Sequence, residues 1–125
     1  MHEFSITSSL VDAILDLAKQ QGSNKVLEVH LRVGKLRALS LDQVKFCYRI
    51  LVKGTILDGS RLLIKEAEAN IRCGTCGYHE EFQSDFHFGI PPLVCPQCGN
   101  PLTLEGGDEC VITKVRMMCP TKKAA

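Results

Sequence analysis

The chain has 125 residues, of which 45% are hydrophobic and 23% are charged, and its formal net charge is +1. This composition can bury a real core in one compact domain, or in one domain with a small satellite. The near-neutral charge indicates no general bias toward nucleic acid, and no apolar run approaches the roughly 18 residues that a membrane span requires. The first ten residues contain no hydrophobic signal segment, so we expect a protein of the reducing cytosol, the cytoplasm.

Two helices are predicted in the first half of the chain. Apolar residues at helical spacing predict a helix that ends near Gly22, with the stripe as its core face. Ser40 and Gln43 form a capping box before a second helix, which Gly54 would terminate. The apolar stripe of the first helix consists of Ile6, Leu10, Ala13, Ile14 and Leu17.

Three segments are predicted to be strands. Residues 27–33 alternate between apolar and polar side chains, which is typical of a strand with one buried face, and His30 should point to solvent. Residues 61–69 and 110–118 also have strand character. Together these elements predict an α+β fold, in which a small three-stranded sheet carries two helices on one face. The polar face of the first strand, with Glu28, His30 and Arg32, and the terminus of the first helix are candidate docking surfaces, and an ordinary solvated strand face explains them equally well.

Four of the seven cysteines form two C-x2-C pairs that are separated by 18 residues. This spacing is typical of a tetrathiolate zinc site, because two thiolates two residues apart can chelate one ion from a tight turn. A glycine follows each pair and can adopt the left-handed backbone that wraps the chain around an ion. We therefore predict a zinc ribbon whose ligands are Cys73, Cys76, Cys95 and Cys98.

Two disulfides, or redox-active pairs like those of thiol–disulfide oxidoreductases, are alternatives for these cysteines. A reducing cytosol favours ligands and core residues over disulfides, and a thiol–disulfide enzyme usually has only one active pair. Among the remaining cysteines, Cys47 and Cys110 are predicted to lie in the core, and Cys119 is predicted to be exposed. A ribbon that binds nucleic acid is a third alternative. Arg72 is the only Lys or Arg in residues 71–104, whereas phosphate binding needs clustered cations.

The cysteine pairs lie between the second and third predicted strands, so the ribbon is predicted to be an insertion. We expect residues 1–70 and 105–119 to form a discontinuous α/β domain, residues 71–104 a zinc-ribbon domain, and residues 120–125 a flexible tail. The insertion is shorter than the roughly 40 residues below which a segment usually needs a metal, disulfides or a partner to fold. Zinc would supply that stability.

Several motifs along the chain occur together in one protein family. They are Met1-His2-Glu3 with Phe4-Ser5, Val33-Gly34 after the first strand, Lys53-Gly54-Thr55 after the second helix, and the doubled C-x2-C. On these features the chain resembles the HypA/HybF family, the hydrogenase maturation proteins that handle nickel. The match covers nearly the whole length.

The resemblance implies a nickel metallochaperone that is not an enzyme. It implies that structural zinc is held by the four cysteines, and that nickel is transient cargo delivered to the nickel–iron hydrogenase large subunit with the GTPase HypB. The nickel ligands would come from the imidazole and backbone nitrogen of His2, assisted by the amide of Glu3 and the amine of Met1. The α/β domain would then be the nickel-binding domain. The sequence leaves monomer and homodimer open.

The chemistry of the N-terminus agrees with this implication. An amine, an amide that deprotonates on binding and an imidazole can reach one ion, and such a tetragonal nitrogen set suits Ni(II) or Cu(II). These nitrogens must lose protons to bind, so we predict that nickel affinity falls as pH drops below the histidine range. A disordered terminus is the alternative for the tripeptide taken alone.

Two histidines near the cysteines are not predicted to be ligands. Some members of the family place a histidine after each cysteine pair, but here only His79 follows the first pair, and Gly99 and Asn100 follow the second. We expect His79 to be hydrogen-bonded or solvent-facing, and His87 to be a loop residue.

Overall fold

A computed structural model gives the structure of residues 2–81 and 94–120, with all of their side chains except that of His2. In the described part of the chain the elements, in order, are α1 (His2–Gln20), β1 (Lys25–Gly34), a 3-10 turn (Lys35–Arg37), α2 (Leu41–Leu51), β2 (Arg61–Ala67), β3 (Asn70–Arg72), β4 (His79–Glu81), β5 (Thr103–Glu105) and β6 (Cys110–Met118). The chain divides into two compact units. The helical unit comprises residues 1–32, 39–65 and 111–125, and the cysteine unit comprises residues 33–38 and 66–110.

The buried face of α1 is rotated from the predicted stripe. Thr7, Val11, Ile14 and Ala18 are buried, whereas Leu17 is 36% exposed, and Ala13 is exposed as well. The polar Thr7 can take a core position because its hydroxyl donates to the carbonyl of Glu3 at 2.5 Å. The prediction of which α1 residues form the core was therefore wrong for Ala13 and Leu17.

The helix α2 begins where the sequence predicts. The hydroxyl of Ser40 accepts a hydrogen bond from the backbone N–H of Gln43, as a helix cap does. Val44 and Tyr48 are buried on its inner face, and the hydroxyl groups of Tyr48 and Ser60 are hydrogen-bonded at 2.5 Å. Burial of the phenol raises the pKa of Tyr48. Among the described helices, none combines the length and the apolar character needed to cross a bilayer.

The three predicted strands form one sheet in the order β2-β1-β6. At one end of β1 the N–H of Asn24 donates to the carbonyl of Met118 at 3.1 Å. Farther along, the hydroxyl of Thr113 donates to the carbonyl of His30 at 3.2 Å. The apolar side of β1 is buried, including Leu31 at 2% exposure. The predicted α+β class, with two helices and a three-stranded sheet, is confirmed.

The cysteine unit has its own small sheet, in the order β4-β3-β5, with both pairs antiparallel. The predicted strand 61–69 ends at Ala67, and β3 follows as a separate strand. Ala69 and Ile71 are buried there, and Leu36, Leu102 and Leu104 pack against them. Because this apolar cluster is small, the cysteines are expected to contribute to the stability of the unit.

Candidate metal centre

Four sulfur atoms come together in the cysteine unit. The Sγ atoms of Cys73, Cys76, Cys95 and Cys98 all lie within 4.8 Å of one another. The shortest separations, 3.5 Å each, join Cys73 to Cys98 and Cys76 to Cys95. Four thiolates at about 2.3 Å from a tetrahedral zinc ion would be about 3.8 Å apart, so these positions fit one ion at their centre. In the described part of the chain, no other group of three or more His, Cys, Asp or Glu side chains is arranged to hold a metal ion.

Each cysteine pair lies on a six-residue loop that a strand pairing closes. The first loop, residues 73–78, connects β3 to β4, and the last residue of β3 pairs with the first residue of β4. The second loop, residues 95–100, is closed by an antiparallel bridge between Val94 and Pro101. The two loops are therefore built alike, and each supplies two sulfur atoms to the cluster.

Backbone hydrogen bonds fix the shape of both loops. In the first loop the N–H of Cys73 donates to the carbonyl of Tyr78 at 2.8 Å, and the N–H of Gly77 donates to the carbonyl of Cys73 at 3.1 Å. The equivalent bonds in the second loop measure 2.8 Å and 2.9 Å. Gly77 and Gly99 have φ angles of 81° and 78°. The prediction that these glycines take left-handed backbone is confirmed.

The two members of each pair differ in exposure. Cys73 and Cys95 are buried, at 1% and 2% exposure, whereas Cys76 and Cys98 are exposed. The side-chain amide of Asn100 donates to the sulfur of Cys98 at 3.4 Å. Sequence reasoning missed Asn100, although its position two residues after a cysteine was a signal.

The thiols of the first loop have opposite pKa shifts. Backbone N–H groups, first that of Cys76 and then that of Thr75, lower the pKa of Cys73 to about 6. The N–H of Tyr78 acts in the same direction on Cys76, but desolvation and the neighbouring cysteine sulfurs raise the pKa of Cys76 to about 12. Closely packed thiolates repel one another, and a divalent cation at the centre removes this repulsion.

The geometry contradicts the disulfide alternative. A disulfide is about 2.0 Å long, and all seven cysteines are free. The closest sulfur atoms also belong to different C-x2-C pairs, whereas a redox-active C-x-x-C pair works within one motif.

The other predicted cysteine and histidine positions are only partly as expected. Cys47 and Cys110 are half-buried, and Cys119 is exposed as predicted. His79 is exposed on β4 and is not part of the sulfur cluster. His87 lies outside the described residues.

His2 and Glu3, two residues of the N-terminal tripeptide, form the start of α1. Met1 and the side chain of His2 lie outside the described part. The carboxylate of Glu3 accepts a hydrogen bond from the backbone N–H of Ser40 at 3.0 Å. In a capping box this acceptor would be the side chain of Gln43. Sequence reasoning predicted the Ser40 cap but missed that Glu3 accepts the Ser40 N–H, because Glu3 and Ser40 are 37 positions apart in the sequence.

The chain is similar to known proteins along most of its length. The family model described as "Hydrogenase/urease nickel incorporation, metallochaperone, hypA" matches residues 1–117. The chain is 31% identical to the hydrogenase maturation factor HypA of Methanopyrus kandleri, covering 100% of this chain and 99% of that protein. It is 34% identical to the hydrogenase maturation factor HypA of Chlorobaculum tepidum, covering 90% and 95%.

Two solved structures share the fold. The solution structure of the nickel metallochaperone HypA from Helicobacter pylori aligns with a TM-score of 0.62 at 18% identity, covering 94% of this chain and 98% of that one. Another structure, described as the solution structure of HypA protein, aligns with a TM-score of 0.67 at 20% identity and covers 96% and 98%. With a family match along residues 1–117 and a relative that is 31% identical over the whole chain, the chain belongs to the HypA family of nickel-incorporation metallochaperones.

Proposed function

We propose that this protein binds Ni(II) at its N-terminus and helps to insert it into the nickel–iron hydrogenase large subunit during maturation, together with the GTPase HypB. It carries the metal and catalyses no reaction, and it works in the cytoplasm. The observation that carries the proposal is the family match, which includes the N-terminal tripeptide and the four cysteines. The four free, clustered thiols suit a reducing compartment.

The proposed nickel ligands are the imidazole and backbone nitrogen of His2, the amide nitrogen of Glu3 and the amine of Met1. The position of α1 supports this set, because the helix begins at His2. N–H groups in the first turn of a helix have no upstream carbonyl within that helix. Deprotonating one of these amides for a metal therefore breaks no bond of the helical ladder. The carboxylate of Glu3 already accepts a bond from Ser40, which favours its backbone nitrogen as the ligand.

The proposed zinc ion has a structural role. Cys73, Cys76, Cys95 and Cys98 supply four thiolates, which fill a tetrahedral site and leave no open position for a substrate. Bound zinc would join the two loops and stabilise a unit whose apolar cluster is small. We propose residues 1–70 and 105–119 as the nickel-binding domain and residues 71–104 as the zinc ribbon. Residues 121–125 of the predicted tail lie outside the described part of the chain.

The decisive experiment counts zinc and nickel separately in protein with an unmodified N-terminus. We expect one zinc per chain as purified, and one nickel per chain after nickel is added and excess is removed. His2→Ala should lose stoichiometric nickel and keep its zinc. His79→Ala is the matched control, because it removes an exposed histidine outside the sulfur cluster, and it should keep both metals.

Delivery needs a separate measurement. Nickel-loaded protein should transfer its ion to metal-free hydrogenase large subunit in the presence of HypB and GTP, and His2→Ala should transfer none. Equal nickel affinity in His2→Ala and the native chain would refute the ligand assignment. Normal nickel binding without transfer of nickel to the large subunit would refute the delivery role and leave the nickel-binding assignment standing.

A further inference from the structure

Charge is divided unequally between the two units. The helical unit contains twelve Lys and Arg residues against six Asp and Glu residues, whereas the cysteine unit contains three against eight. The net charge of +1 conceals this separation. A strong local excess of one sign attracts partners of the opposite sign and speeds their association.

Part of the positive charge lies on one side of the three-stranded sheet. The carboxylate of Glu28 on the central strand contacts Arg61 of β2 at 3.6 Å and Arg116 of β6 at 3.4 Å, so these three side chains share a face. Side chains two residues apart on a strand point the same way, which adds Lys65 and Lys114. The cationic sheet face is Glu28, His30, Arg32, Arg61, Lys65, Lys114 and Arg116.

Glu28 holds the two arginines in place. Its side chain is 16% exposed and contacts the His30 ring nitrogen at 3.2 Å, and it is the sole carboxylate on the described strand residues 25–32, 61–65 and 111–118. The side chains of Arg61 and Arg116 remain 71% and 55% exposed. A guanidinium has five N–H donors, so donors remain on each arginine for carboxylates of another molecule.

Apolar groups lie among these cations. Leu63 lies between Arg61 and Lys65 on the same face of β2. Met118, which is 52% exposed, follows Arg116 by two positions on β6 and shares its face. A phosphate backbone offers little to apolar side chains. A polypeptide that presents both carboxylates and apolar side chains matches both kinds of group.

We propose that the cationic sheet face is the docking surface for an acidic amphipathic segment of a partner protein. Carboxylates of the segment pair with Arg61, Arg116 and the two lysines, and its apolar side chains cover Leu63 and Met118. The interaction does not involve the metal sites, so it is independent of nickel binding.

The probe is a labelled peptide rich in glutamate and leucine, titrated with full-length zinc-loaded protein at low and at physiological salt. A single-stranded oligonucleotide of equal net charge is titrated in parallel. We expect the peptide to bind more tightly than the oligonucleotide, with affinity that falls as salt rises. Peptide-induced NMR shifts should be confined to β1, β2 and β6.

The test variant is Lys65→Glu with Lys114→Glu, which leaves Glu28 and its arginines in place. We expect it to weaken peptide binding about tenfold. The control variant, Lys19→Glu with Lys53→Glu, has the same net charge but changes exposed lysines outside the face, and it should bind as the native chain does. Arg61→Gln with Arg116→Gln should also weaken binding.

Three outcomes would overturn the proposal. The test and control variants could lose equal affinity, which would make the effect one of net charge. The oligonucleotide could bind more tightly than the peptide. Sedimentation at low salt could show that a second copy of the chain occupies the face, with the peptide excluded.

Discussion

The carboxylate of Glu3, in the first turn of α1, accepts a hydrogen bond from the backbone N–H of Ser40, the residue that caps α2, at 3.0 Å. This contact ties the start of one helix to the start of the other. A negative charge at that position also interacts favourably with the positive end of the α2 dipole. The tripeptide proposed to bind nickel is therefore anchored by its third side chain.

Removing the Glu3 carboxylate should lower the stability of the fold and leave nickel binding unchanged. We expect Glu3→Ala to lower the free energy of unfolding by about 1 kcal/mol, because it leaves the Ser40 N–H without its carboxylate acceptor. Urea denaturation of zinc-loaded protein measures this change. Asp12→Ala, which removes an exposed carboxylate of α1, should change stability by less than about 0.5 kcal/mol. Nickel stoichiometry should be retained in Glu3→Ala, and its loss would indicate that the carboxylate itself is a ligand.

The glycines of the two cysteine loops should matter through their backbone conformation. No atom lies within 4 Å of a Cβ built on Gly77 or Gly99, so alanine fits in space, but its φ would be strained. We expect either substitution to destabilise the loop by about 1 kcal/mol and to speed zinc loss to a competing chelator. Gly74→Ala is the matched control, because Gly74 is equally open and lacks a positive φ. Equal zinc loss in all three variants would contradict this explanation.

Zinc retention should depend on pH through the thiolates. The pKa of Cys73 is lowered to about 6, mainly by the backbone N–H of Cys76, so this sulfur is ionised at neutral pH. The pKa of Cys76 is raised to about 12, so zinc must displace a proton from that sulfur at any ordinary pH. Below about 6 a proton also competes for Cys73, and zinc affinity therefore falls more steeply as pH drops through that value. Zinc content after dialysis against a weak chelator at a series of pH values tests this, and retention that is flat down to pH values well below 6 would refute it.

The backbone packs so closely around Gly34 that we expect its replacement by alanine to destabilise the protein strongly. A Cβ on this residue would lie 2.0 Å from the carbonyl oxygen of Gly107, and that backbone also accepts the N–H of Leu36 at 2.8 Å. Backbone atoms cannot move aside as a flexible side chain can. We expect Gly34→Ala to lower the free energy of unfolding by about 2 kcal/mol or more. Denaturation by urea, compared with Gly74→Ala, measures it, and equal stability of the two variants would show that the contact relaxes.

The local features of this protein could be predicted from its sequence. The alternation in β1, the cap at Ser40 and the loops around the cysteines each depend on residues within a few positions of one another. Backbone preferences and side-chain periodicity act at that range, so the pattern is visible along the chain. The grouping of four cysteines followed from their spacing for the same reason, and their sulfur atoms all lie within 4.8 Å of one another.

Predictions that needed a partner distant in sequence were incomplete. Glu28 was predicted on the solvent side of β1, but arginines from both neighbouring strands leave it only 16% exposed. Gly34 was noted only as part of a motif after the first strand, yet it is the last residue of β1 and leaves room for the backbone of Gly107. Neither arrangement has a local signal, because each depends on which segments the chain brings together.

The sequence by itself determined the four cysteines that cluster, the helices, the strands of the main sheet and the family. Only the tertiary structure decided that Glu3 reaches Ser40 and that cations of three strands share one face of the sheet. The physical reason is range: turn and strand preferences are fixed by neighbouring residues, whereas hydrogen bonds and ion pairs across elements depend on the packing of the whole unit.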